Sequence, residues 1–95
     1  MTEEDFVIEP LTGLCYRAGW VGVFTTKTAP GALINGTRVI KVAQDPEGDR
    51  TPPGTAGRVL GSIGHPDLVG IMYFIEWDNA PKFAVGCHQR KLRAI

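Results

Sequence analysis

Twelve glycines and seven prolines punctuate this 95-residue chain, and no stretch of ten residues between them carries helical apolar periodicity. Glycine inside a helix costs about 1 kcal/mol relative to alanine and proline about 3, while both residues fix turn geometry. A chain cut up in this way folds as short strands joined by turns, and the segments between the breakers are rich in β-branched and aromatic residues. The reading is therefore all-β. At 10.3 kDa there is room for one domain, and size scaling buries roughly two thirds of the unfolded surface. That suffices for one modest core and leaves little for a deep substrate cavity besides.

Residues 1–36 read as an irregular N-terminal extension with a single candidate strand, 20–26, followed by a loop at 28–32 and an Asn35-Gly36 turn. From residue 37 the pattern is cleaner. Residues 37–42 form a strand in which Arg38, Ile40 and Val42 alternate with Thr37, Val39 and Lys41, so both faces are partly apolar. A polar loop over 43–55 follows, whose Pro46, Pro52 and Pro53 exclude helix and central strand. Residues 57–63 place Val59, Gly61 and Ile63 on one face and Arg58, Leu60 and Ser62 on the other; Gly61 marks a bend or a close backbone approach. After a turn at 64–70 comes the strongest strand, 71–78, with Ile71, Tyr73, Ile75 and Trp77 on one side. A turn at 78–81, a strand at 82–85, a helical turn at 86–89 and a short strand at 90–95 complete the chain. The expected core is Val39, Val59, Ile63, Ile75, Trp77, Val85 and Leu92.

Three short motifs carry a resemblance. Gly36-Thr37-Arg38-Val39, then Pro53-Gly54-Thr55-Ala56-Gly57-Arg58-Val59, then Trp77-Asp78-Asn79 form a G-x-R-V, P-G-x-x-G-x-V, W-D-N pattern. This resembles small uncharacterised SH3-like barrel proteins of bacteria and phages. With Asp45-Pro46-Glu47-Gly48 before the prolines, it is also similar to the barrel of nitrile hydratase β subunits and, more distantly, to KOW-type modules. The resemblance spans residues 36–95 and implies a five-stranded SH3-like barrel over 37–95, with residues 1–36 packed on it or flanking it. It implies no catalytic residues, because in nitrile hydratase the metal and its ligands belong to the other subunit. Fold likeness of this kind does not fix function.

The residues themselves point away from catalysis. Cys87 and His88 are adjacent, so on a strand they face opposite ways and do not meet as nucleophile and base. Cys15, Cys87, His65 and His88 lack paired metal-ligand spacing, and Asp45, Glu47 and Asp49 lack the rest of a calcium loop and read as a solvated acidic loop. No phosphate-binding glycine motif is present. The expectation is a non-enzyme with no cofactor, no metal and two free thiols. The N-terminus is acidic and no apolar run reaches the roughly 18 residues a membrane span requires, so the expected location is cytoplasmic.

Charge sharpens the choice of partner. Ten acidic and ten basic side chains cancel, but residues 1–36 carry four acids against two bases and residues 37–95 eight bases against six acids. The last fourteen residues hold Lys82, Arg90, Lys91 and Arg93 and no acid. Two functions follow. The first is a protein-interaction module that uses loop 43–55, with Asp49 and Arg50 at its rim, and the aromatics Tyr73, Trp77 and Phe83. Against it, Tyr73 and Trp77 share the face of Ile71 and Ile75, which favours a place in the barrel core. The second is a nucleic-acid or ribonucleoprotein accessory that contacts phosphate through Lys82, Arg90, Lys91 and Arg93.

Overall fold

In the computed structural model, which describes residues 6–8, 14–65 and 70–95, alternating apolar residues generate seven short strands. They are β1 (Phe6–Ile8), β2 (Cys15–Arg17), β3 (Arg38–Lys41), β4 (Ala56–His65), β5 (Gly70–Trp77), β6 (Val85–His88) and β7 (Leu92–Ala94). A 3-10 turn at Gln89–Lys91 joins the last two. β1 and β2 form an antiparallel pair, and the other five form one antiparallel sheet in the order β6-β5-β4-β3-β7. No pairing joins β6 to β7 among the described residues, so the sheet is open rather than a closed barrel. Glu3, Glu4, Asp5, Glu9 and the residues of the 64–70 turn from Pro66 to Val69 lie outside the described residues.

The sheet is buried on both faces at its centre. On one face Val39, Val59, Ile71, Tyr73, Ile75, Trp77, Cys87 and Leu92 pack together, roofed by Ala29, Ala32 and Leu33 from the N-terminal segment. The Leu33 N–H donates to the Tyr73 hydroxyl at 2.9 Å, so that segment also satisfies the core's polar tip. On the other face Phe74 packs with Cys15 and Phe24, supported by Leu14, Trp20, Leu60 and Ala84. Both thiols are unbridged, and they sit in these two separate clusters.

Ile63, expected in the core, is 45% exposed, while Ser62, expected on the opposite face, is buried. The cause is a β-bulge: the register with β5 slips between Val59 and Gly61, so Val59 pairs Ile75 and Ser62 pairs Tyr73. One extra residue reverses every side chain beyond it. Gly61 permits the slip, because a Cβ there would collide with the Thr25 carbonyl oxygen of the crossing N-terminal segment. The Ser62 N–H donates to the Lys27 carbonyl at 2.8 Å and its hydroxyl accepts from Ala29 N–H at 2.9 Å, which secures that crossing.

Two element boundaries also shift. The expected strand at 20–26 reduces to isolated bridges, Val21 with Phe83 and Phe24 with Cys15. The expected strand at 82–85 starts only at Val85, which moves the helical turn from 86–89 to Gln89–Lys91. Lys82 has a left-handed φ of 61° and its N–H donates to Glu76 Oε2 at 2.8 Å, which prolongs the turn after Trp77.

Candidate functional site

β3 alternates, so Lys41 shares its face with Val39; Val39 is fully buried and Lys41 is 3% exposed. An ammonium ion on a core face must be paired. Lys41 Nζ donates to both Asp49 carboxylate oxygens, at 2.7 and 3.0 Å, and to the Thr51 carbonyl at 2.9 Å. It also lies 5.7 Å from the centre of the Trp77 ring. Asp49 in turn accepts from the backbone N–H groups of Asp45 and Thr51, both at 3.1 Å. Lys91 Nζ bridges Asp45 at 2.9 Å and Asp49 at 3.4 Å, fastening the loop to the chain end. Lys41, first, and these backbone donors hold the Asp49 carboxyl far below the usual carboxylate range, against the opposing effect of burial. The side-chain bonds to Asp45, then Asp49, raise Lys91 above its ordinary value although burial opposes them.

Loop 43–55 is therefore a fixed wall folded about one carboxylate. The opposite wall is the turn after β5 and the start of β6. Arg38, on β3, makes a bidentate pair with Asp78 at the head of the turn, and the Ala80 N–H closes it on the Trp77 carbonyl at 3.0 Å. Cross-strand Arg58 pairs Glu76 at 2.6 Å. Burial pushes the Glu76 carboxyl up, and the Lys82 N–H and Arg58 together outweigh it, leaving Glu76 below its ordinary value.

Between the walls lies a cleft of about 570 Å³, with Trp77, Lys41 and Cys87 beneath it and Phe83 and Val85 on the far side. Phe83 is 44% exposed. Trp77, the largest fully buried side chain, has an indole N–H with no acceptor among the described residues. A Cβ on Gly57 would stand 2.7 Å from Trp77 Cε3, so only glycine lets the indole lie across β4. Burial raises the Cys87 thiol, and His88 is turned to another task, its Nδ1 accepting the Arg90 N–H at 3.2 Å.

The structure gathers four of the sequence-predicted residues, Asp49, Arg50, Trp77 and Lys91, around this cleft. Their roles differ from those expected. Asp49 is the loop's buried pin and not a rim contact or part of a solvated acidic loop, because Lys41 draws it inward. Trp77 is the buried floor, as the core reading has it, and not the exposed anchor of the binding reading. Lys91 is held by two carboxylates, whereas no acid among the described residues pairs with the exposed Arg50. Lys82, Arg90 and Arg93 are exposed and lie outside the cleft, on the turn, the 3-10 turn and the edge strand β7. Lys41 was missed; its place two residues after Val39 was the available signal. Comparison with family models, curated proteins and solved structures gives no match to this chain.

Proposed function

We propose that the chain is a non-catalytic binding module on an SH3-like frame, and that it takes its partner in the cleft between loop 43–55 and the turn after β5. Four meandering strands and a fifth that returns beside the first after a 3-10 turn are what such a frame requires, which supports the reading. The observation that carries it is the cleft's construction. A buried ion network braces one wall, while Phe83 and the unpaired Arg50 stay open to solvent beside the Trp77 floor. Rigid walls with a few exposed apolar and polar groups lower the entropy lost on binding. The nucleic-acid reading draws less support, because Lys91 is already neutralised and Lys82, Arg90 and Arg93 are spread over three elements.

The test uses surface substitutions that spare the ion network. Full-length chain and the double variant Arg50→Glu, Phe83→Ala are used to capture partners from extract of the native cell. The expected result is a partner retained by the wild type and lost by the variant at an unchanged thermal midpoint. A variant that keeps every partner overturns the assignment. Salt-sensitive retention on RNA that depends on Arg90 and Arg93 would instead favour phosphate contact.

A further inference from the structure

The cleft is continuous with an open sheet edge. β6 ends the sheet, and its residues Val85, Gly86 and Cys87 line the cleft. Just before β6, the N-terminal segment begins to cover that edge. The Val21 N–H donates to the Lys82 carbonyl and the Ala84 N–H to the Val21 carbonyl, both at 2.9 Å. Among the described residues the cover stops after this one bridge. Gly22 turns the chain with φ 87°, and Phe24 goes on to pair with Cys15. Residues 82 and 84 thus turn their polar groups outward, and strand alternation puts the N–H and C=O of Gly86 on that same outer side, away from β5. Gly86 is exposed and has no side chain to obstruct an approaching backbone.

We infer that the occupant of the cleft is an extended polypeptide segment of a partner, which adds as a strand along β6. It bonds to Gly86 through its main chain and rests an apolar side chain on Phe83. This rests on the cleft being the binding site. Two observations select this occupant. The edge offers main-chain donors and acceptors, which another backbone matches regardless of its side chains. Charge at the cleft is balanced, Lys41, Arg50 and Lys91 against Asp45, Glu47 and Asp49, so a phosphate backbone would meet three carboxylates. A neutral main chain meets no such penalty.

A phage-displayed library of random linear peptides panned on the full chain tests this. An enriched peptide, synthesised and titrated into ¹⁵N-labelled protein, is expected to shift the Gly86 amide and the Trp77 indole N–H. Phe83→Ala should weaken it at least tenfold. On the peptide side, N-methylation scanned along the backbone should cost tenfold or more at alternate positions, those that face β6. If the peptide shifts the cleft residues but no N-methyl position matters, strand addition is wrong and the cleft remains the site. Peptides that map elsewhere overturn both readings. A library that yields no binder overturns the peptide occupant, and a partner captured through Arg50 and Phe83 would then still uphold the cleft.

Discussion

Lys41 shows how much one side chain can demand of its neighbours. Its ammonium is almost wholly inside, so the Asp49 carboxylate is a structural necessity and not an ornament of the loop. Asp49→Ala is expected to cost on the order of 3–5 kcal/mol, because it leaves a buried cation unpaired. Asp49→Asn should cost less, since its amide oxygen can still accept from Lys41. Urea denaturation of the two variants gives the comparison, and equal, negligible losses would show Lys41 reaching water. The pH dependence has a definite sign. The folded-state value of Asp49 is depressed, so its stabilisation is present above the ordinary aspartate value near 3.9 and is lost as pH falls towards the folded value. The stability gap between wild type and Asp49→Asn should therefore narrow below about pH 4. A gap that widens there would contradict the pairing.

Among the elements, β4 is the one whose defect organises the rest. The slip at Leu60 turns Ser62 inward to receive the N-terminal segment and turns Ile63 out. Two isoleucines on paired strands should then differ sharply. Ile75→Ala is expected to cost about 2–5 kcal/mol as a buried truncation, and Ile63→Ala about 0.5 kcal/mol or less. Comparable losses at both sites would place the bulge elsewhere. Gly61→Ala should be severe for its size, because the obstacle is the Thr25 backbone and cannot rotate aside. Thermal melting should show it less stable than Gly54→Ala, where no atom lies within 4 Å and only the positive φ is strained.

For the molecule as a whole, residues 14–36 are part of the packing. They cover Phe74, cap Tyr73 and cross β4 at the bulge. A chain of residues 37–95 alone would expose Phe74 and lose the Leu33 donor to Tyr73. Its unfolding in urea is expected to be broad or absent under conditions where the full chain unfolds cooperatively. A truncated chain with an unchanged midpoint would show the extension to be dispensable. Circular dichroism of the full chain should be strand-dominated throughout, and a helical spectrum would refute the architecture.

The order of breakers and β-branched runs alone was enough to read an all-β chain, the 71–78 strand and most of its core face. Those properties are local: glycine and proline act on their own φ angles, and alternation acts within one strand. The same alternation failed past Gly61, because a bulge is chosen by what crosses the strand, here Thr25 from far along the chain. Loop 43–55 was legible as a loop. That its Asp49 is buried depended on Lys41, whose inward side is plain from Val39 but whose partner is eight residues away across a turn. Trp77 was legible as a core residue from its place on the face of Ile71 and Ile75, but what buries it could not be read from one strand. Its burial is set by Gly57 on the neighbouring strand, by Lys41 over its ring and by the loop that Lys41 holds in place. Non-local contacts of this kind exist only once the sheet has paired.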